Sequence, residues 1–453
     1  MIFCAYVRGI NMEKKKYIGS FGYRLYKRYI RFMNNRLLFR HVYYQGKEDL
    51  PALGEPCMIV SCHQNCANDP LVMILGLENE SHPYVIARGN VFSWHPLITK
   101  FFLWLGMLPA FRLNYDGQES LGKNEETIRI SGGKMLEGNR LIMYPEGTHQ
   151  DKHWLGDFSF GYTRLAFQTA ERDGFQHDIK IVPSAHHYED FLGVQTDVLV
   201  RFGKPISLAP YYELYKTKPR TAQREVNQLV RAQIEEMMLD VRDLEHYEEI
   251  DWLRNSEFGD TYCCAQGKNP KFLPDKLDSD KKLCDQIQAT GVYWDKIAEI
   301  RREEAGIGIK DKDIASVKGW LTTILSIMAQ IILLPLWLVS LYPNLLHYNI
   351  HRPFMKSDKM FTNSWRFIIP VVVGVPFFFL LTVLVCGLVW GLWWQSVVWM
   401  LLATYPLALF AYYEWKWMQS TFRNIRMLCN KKRMAELKEK RKVLFESIKN
   451  KIQ

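Results

Sequence analysis

Residues 319–346 and 367–413 contain no Asp, Glu, Lys or Arg. Uncharged runs of this length read as membrane-crossing helices, because hydrocarbon offers a charge no partner and requires the backbone to satisfy itself. Pro335 and Pro343 interrupt the first run, so a broken or re-entrant segment is expected there. The second run is long enough for two spans, turned near Trp393-Trp394-Gln395-Ser396. Both of its flanks, 352–366 and Lys416 onward, are basic, so the positive-inside rule makes it a hairpin with both ends cytoplasmic. The first run must then re-enter or form a short pair. The chain's 14 Trp suit interfacial belts.

The 453 residues as a whole are 48% apolar and 23% charged, the composition of a chain that folds around a core. From Val42 to Pro205 the pattern alternates. Strands are predicted at 57–62, 84–87, 107–111, 141–144, 179–184 and 198–202. Helices are predicted near 71–77, 95–105, 119–137 and 162–172. This is the pattern of an α/β domain, with a mixed sheet flanked by helices and its chemistry on loops at strand ends.

One such loop is Ser61-Cys62-His63-Gln64-Asn65-Cys66-Ala67-Asn68-Asp69-Pro70, between the apolar run Cys57-Met58-Ile59-Val60 and a predicted helix. Asp69 is read as the helix N-cap and Pro70 as its first helical residue. A histidine and a carboxylate on one strand-to-helix turn can hold an imidazole in one tautomer while its other nitrogen takes a hydroxyl proton. The plainer alternative is an Asp that caps and a His that packs. Three further clusters fall at strand ends. In Gly106-Met107-Leu108-Pro109-Ala110-Phe111-Arg112 the strand runs into Arg112, whose fork suits phosphate unless it serves a surface ion pair. In Tyr144-Pro145-Glu146-Gly147-Thr148-His149 a strand stops at a proline, and a carboxylate, a glycine and a hydroxyl follow; an ordinary turn would also contain Pro and Gly. Ile181-Val182-Pro183-Ser184 is an apolar strand ending in proline.

Taken together, the four clusters over residues 55–206 resemble the glycerolipid acyltransferase superfamily, which includes the glycerol-3-phosphate and 1-acylglycerol-3-phosphate acyltransferases. The blocks match in order at His63 and Asp69, at Gly106, Pro109 and Arg112, at Pro145 to Thr148, and at Val182 and Pro183. Phe202-Gly203-Lys204-Pro205-Ile206 also resembles a family strand end. Two departures stand out. Five residues, not four, separate His63 from Asp69, which is similar to a subgroup known in some bacteria and to fungal-type glycerol-3-phosphate acyltransferases. His149 stands where many members have Arg or Ser; Lys152 or Arg164 is left as a substitute cation.

The resemblance implies that His63 is a general base oriented by Asp69, and that Arg112, Glu146, Gly147 and Thr148 bind the acceptor. The acceptor would be lysophosphatidate or glycerol-3-phosphate, and the donor an acyl-CoA or acyl-carrier-protein thioester. No cofactor or metal is implied. His149 and His153, four apart, and His186-His187 are given structural or surface roles. Two alternatives stay open: acylation of another lipid such as an aminolipid, and a non-catalytic scaffold that binds anionic lipid.

The remaining segments are read from charge. The formal charge is +10, which suits an anionic partner. Residues 1–50, with Phe21, Leu25, Phe32 and Phe39 among Arg24, Lys27, Arg28, Arg31, Arg36 and Arg40, read as a basic amphipathic segment contacting an anionic membrane surface. No nucleic-acid recognition motif accompanies the charge. The nine scattered Cys fit a reduced, cytoplasm-facing catalytic domain on an integral membrane protein, at the inner membrane if the source is bacterial. The expected domains are therefore 1–50, an acyltransferase domain at 51–210, a charged helical segment at 211–318, membrane helices at 319–413 and a basic helical tail at 414–453.

Overall fold

The structure, a computed structural model, describes residues 17–93, 95–110, 120–149, 152–349 and 361–452. The chain divides into two compact units, Met1–Met238 and Leu239–Gln453.

The first unit is built in the order α1 (Phe21–Met33), β1 (Phe39–Gln45), β2 (Cys57–Ser61), α2 (Asn68–Gly76), β3 (Tyr84–Arg88), α3 (Pro96–Trp104), β4 (Met107–Ala110) and α4 (Ser120–Leu136). There follow β5 (Arg140–Met143), α5 (Gly161–Arg172), β6 (Lys180–Tyr188), β7 (Thr196–Phe202), β8 (Ile206–Ser207), α6 (Tyr212–Thr217) and α7 (Pro219–Met237). The eight-stranded sheet has the order β1-β7-β6-β2-β5-β3-β4, with β8 beside β6. It is parallel except where β6 meets β7 and β8. Central β2 is buried at every position, which is why it reads as a continuous apolar run. Its Met58 and Val60 join a core with Ile181 and Ala185 of β6 and the apolar faces of α4, α5 and α7. The alternate β6 residues, Ser184, His186 and Tyr188, face the other side, where Ser61 meets His186.

The predicted strands and helices of this region form close to the expected positions, but the edges of the domain differ. Residues 39–45, expected within a membrane-contacting segment, are instead edge strand β1, in parallel register with β7. Lys27, read as part of the basic face, is buried, and its ammonium donates to the Glu78 carbonyl at 2.7 Å. The domain boundary, expected at residue 210, lies at 238, because Ala222, Val226, Val230 and Ile234 of α7 complete the core. Gly106 of the second block is required by geometry. Its φ is +86°, and a Cβ there would lie 2.5 Å from the Pro83 carbonyl oxygen.

His82 gives this unit a pH dependence. It sits between Tyr23 and Tyr84, and its Nε2 lies 3.2 Å from the Trp104 carbonyl oxygen. Burial lowers its pKa from 6.5 to about 4. Between those values the unfolded chain binds a proton that the folded chain does not, so stability falls as pH drops from 6.5 to 4 and then levels off. The loss from this group is roughly 3 kcal/mol at 1.36 kcal/mol per pKa unit. Thermal unfolding of detergent-solubilised protein from pH 7 to 4 should show the decline. His82→Gln, which can still donate to Trp104 but does not titrate, should flatten it.

The second unit is helical: α8 (Tyr247–Asn255), α9 (Glu257–Ala265), α10 (Leu273–Thr290), α11 (Trp294–Ile307), α12 (Asp311–Ala315), α13 (Trp320–Asn349), α14 (Phe361–Phe367), a π-helical turn over Ile368–Gly374, α15 (Val375–Trp390), α16 (Trp393–Thr404), α17 (Pro406–Cys429) and α18 (Lys431–Ile452). Among the described residues, three helical stretches are long and apolar enough to cross a membrane: Trp320–Leu341, Ser364–Trp390 and Trp393–Cys429. The break expected at Pro335 or Pro343 does not occur; α13 is one helix of 30 residues. A ladder of polar contacts supports it along its length: Asn424 to Thr323, Gln330 to Thr421, Trp337 to the Ala411 carbonyl and Asn344 to the Ala403 carbonyl. In an apolar surround such bonds hold helices together and absorb the loss of a proline's N–H. The hairpin turn lies at Gly391-Leu392, just before the expected position, with Gly391 left-handed.

Nor is the basic tail separate. Met434, Leu437, Leu444 and Ile448 of α18 are buried. Arg441 pairs with Asp311 at 2.6 Å, and Lys440 with Glu299 at 2.6 Å. Segments 211–318 and 414–453, expected apart, thus share one helical body from α8 onward.

Candidate active site

The parallel strands β5, β2 and β6 lie side by side, so their C-terminal ends fall at one edge of the sheet, the place where open α/β sheets bind ligands. His63 leaves the end of β2, and the loop 144–149 leaves the end of β5. Asp69 is not the helix N-cap expected from sequence. The helix begins one residue earlier, at Asn68, and its cap position, Ala67, offers no side-chain oxygen. The Asp69 carboxylate turns back onto the preceding loop instead. Its Oδ2 lies 2.8 Å from His63 Nδ1 and accepts the Gln64 and Asn65 amide N–H groups at 2.7 and 2.8 Å. Its Oδ1 accepts the Tyr188 hydroxyl at 2.6 Å. The loop reaches this geometry with Cys66 in the left-handed region, at φ 45°. The longer His–Asp spacing therefore does not separate the pair.

Burial and polarity divide the dyad. The Asp69 side chain is fully buried, whereas 19% of the His63 side chain is exposed. Burial pushes the Asp69 pKa up, but the nearby His186 imidazole, the His63 bond and the Asn65 N–H outweigh it and hold the carboxylate below its usual range. Asp69 is thus an anion against Nδ1–H. That fixes the tautomer with Nε2 as acceptor, and no described residue hydrogen-bonds to Nε2.

Several groups lie around the dyad in places that the sequence did not give them. The Tyr144 ring lies over His63 with centroids 4.6 Å apart, and His149 meets His63 edge-on at 5.9 Å. His186 bridges Ser61 Oγ at 2.9 Å and the Asp69 carbonyl at 3.0 Å. Burial pushes its pKa down, against the pull of the Asp69 carboxylate. The signal for His186 and Tyr188 was the period-two alternation of β6, which puts residues 184, 186 and 188 on one face. Their pairing with β2 is a register, and a register is not written in either strand alone.

Of the expected acceptor-binding residues, Glu146 is engaged on both oxygens. Oε1 accepts the His63 amide N–H at 2.7 Å, and Oε2 accepts the Gly156 N–H at 2.9 Å. It ties the His63 loop to the segment after the β5 loop. Gly147, with φ +66°, and Thr148 are exposed beside it. Arg112 lies outside the described residues. Of the two substitute cations, Arg164 is exposed on α5, where its charge acts on Tyr215 of the helical layer; Lys152 is half-buried just past the β5 loop.

Residues 41–187 match the family model described as Acyltransferase. This segment is similar to an acyltransferase domain. It spans β1 to β6 and contains His63, Asp69 and the loop 144–149, as the resemblance to the glycerolipid acyltransferase superfamily implied. Among solved structures, the chain is similar to the crystal structure of the 1-acyl-sn-glycerophosphate (LPA) acyltransferase PlsC from Thermotoga maritima. Identity is 18%, the match covers 50% of this chain and 88% of that one, and the TM-score is 0.30. No curated protein matches the chain.

Proposed function

We propose that the protein is a membrane-bound O-acyltransferase that moves a fatty acyl group from an acyl thioester to the hydroxyl of a glycerol-phosphate acceptor, lysophosphatidate or glycerol-3-phosphate. The observation that carries this reading is the 2.8 Å contact between a buried, anionic Asp69 and a His63 whose Nε2 is open. The acceptor's oxygen attacks the thioester carbonyl while its proton passes to His63 Nε2. The C–O bond forms, the C–S bond breaks, and the thiolate takes the proton back from the imidazolium. Asp69 favours that imidazolium as it forms, as the carboxylate of a hydrolase triad does. No nucleophilic Ser or Cys is required, and Cys62, buried with its pKa pushed well up, is unsuited to the role.

Glu146 acts by holding the His63 loop, since a carboxylate facing a phosphate would repel it. Thr148 and the Gly147 backbone are exposed on the same loop, where an acceptor phosphate can meet them, and Arg112 completes the cradle by resemblance. In this reading the apolar helices of the second unit anchor the enzyme in the membrane where a lysolipid acceptor resides, and the catalytic unit faces the cytoplasm; the length and apolar composition of those helices support the anchoring.

The test is acyl transfer by detergent-solubilised protein, with lysophosphatidate and glycerol-3-phosphate offered in parallel. Product with one of them is expected. A folded sample inactive with both would overturn the glycerol-phosphate acceptor and turn attention to other lipids, an aminolipid first.

A further inference from the structure

Helix α1 has three faces. Tyr23, Lys27, Ile30 and Met33 are buried in the first unit. Arg24, Arg28 and Arg31, at i, i+4 and i+7, form a second stripe. Phe21, Leu25 and Phe32 form a third and are 75%, 57% and 47% exposed. No Asp or Glu occurs from Tyr17 to Lys47. At its C-terminal end the arginine stripe meets the start of β1 around a cavity of about 480 Å³, lined by Arg28, Arg31, Phe32, Arg36, Arg40 and Tyr43 among others. Arg40, on this lining, pairs with Asp197 and Glu189 at 2.9 and 3.0 Å. Arg31 is anchored through the Leu77 carbonyl, and its Nε is buried with no hydrogen-bond partner. The Arg28 and Arg36 side chains make no hydrogen bond or ion pair among the described residues.

We propose that this cavity and the adjoining apolar stripe are a docking surface for an anionic membrane, with a lipid headgroup phosphate held among Arg28, Arg31 and Arg36 and with Phe21, Leu25 and Phe32 entering the interface. An arginine row beside exposed aromatic and aliphatic side chains is the arrangement of a helix that lies in the headgroup layer. Arginine forks match phosphate oxygens, and each basic residue near an anionic surface strengthens attachment about fivefold. The same chain carries helices apolar enough to cross a bilayer, so a lipid surface is the partner within reach.

The strand registers give the docking a consequence. β1 begins opposite Thr196, and Tyr188, which donates to Asp69, pairs with Val198. The cavity and the His63 loop therefore lie at the same end of the sheet. β7 and β6 intervene, a lateral distance of roughly 14 Å at the usual strand spacing. Docking here holds the end of the sheet that carries the His63 loop at the lipid surface.

The inference does not depend on the acceptor, and its test does not read activity. The full-length protein is reconstituted into vesicles of phosphatidylcholine alone or with phosphatidylglycerol added. Amide hydrogen exchange is then followed across residues 21–43. Slower exchange with phosphatidylglycerol is expected. Arg28→Glu with Arg36→Glu should remove the difference, because losing two such charges weakens attachment roughly 25-fold even before the new repulsion is counted. Neither side chain supports the fold. Three results would overturn the proposal: equal exchange in both vesicles, a difference that survives in the double variant, or the same slowing when inorganic phosphate is added to phosphatidylcholine vesicles. The last would mark a small-anion site instead.

Discussion

His63→Ala should reduce acyl transfer by on the order of 10³-fold or more while leaving the fold intact, since general-base catalysis contributes about 10²–10⁴. The fold should survive because His63 is one of several donors to Asp69. The Gln64 and Asn65 N–H groups and the Tyr188 hydroxyl remain to satisfy the buried carboxylate. The measurement is kcat in detergent beside a thermal midpoint. A variant that keeps its rate would remove His63 from the chemistry. The His149 imidazole meets His63 edge-on. His63→Ala combined with His149→Ala shows whether residual turnover passes through it.

Asp69→Asn is the sharper probe, because it separates charge from shape. Asn can place its carbonyl oxygen where Oδ2 now takes the His63 contact and the two amide N–H groups, and its NH₂ can donate to Tyr188, whose hydroxyl also accepts. The loop should therefore keep its form. What disappears is the negative charge opposite the forming imidazolium, and a loss of roughly 10²–10⁴ in kcat is expected, by analogy with the carboxylate of a Ser-His-Asp triad. Asp69→Ala should differ in kind. It strands the Gln64 and Asn65 N–H groups in a buried loop at about 1–3 kcal/mol each, so stability falls together with activity. If Asn and Ala variants lost stability equally and Asn kept full activity, Asp69 would be a structural anchor only.

The two variants bear on different consequences of one carboxylate. Its Oδ2 shapes the loop through backbone N–H groups and orients the base, while its Oδ1 ties that loop to β6 through Tyr188. Glu146 does comparable work from the other side, clamping the His63 amide to Gly156. The imidazole is held from both flanks, with Nε2 left as acceptor.

Much of this was legible in the chain. The strand and helix positions from β2 to β7 followed from period and turn residues, and β2 was evident because a strand buried on both faces must be apolar throughout. His63 and Asp69 were legible because they lie on one turn, where six positions of separation already bring them close. Uncharged length alone marked the membrane-compatible helices, since charge cannot enter hydrocarbon without a partner. Tertiary structure decided the rest, for one recurring reason: the deciding partner is distant in sequence. β1 is a strand because β7, some 150 residues on, offers it a ladder; the local pattern of Arg, His and Tyr gave no clean alternation. α7 belongs to the first unit because its apolar face completes a core laid down by β2 and β6. α13 runs through two prolines because α16 and α17 bond to it along its length. Asp69 looked like a cap because sequence shows only the helix ahead of it; the His63 loop behind it and Tyr188 across the sheet claim its oxygens instead.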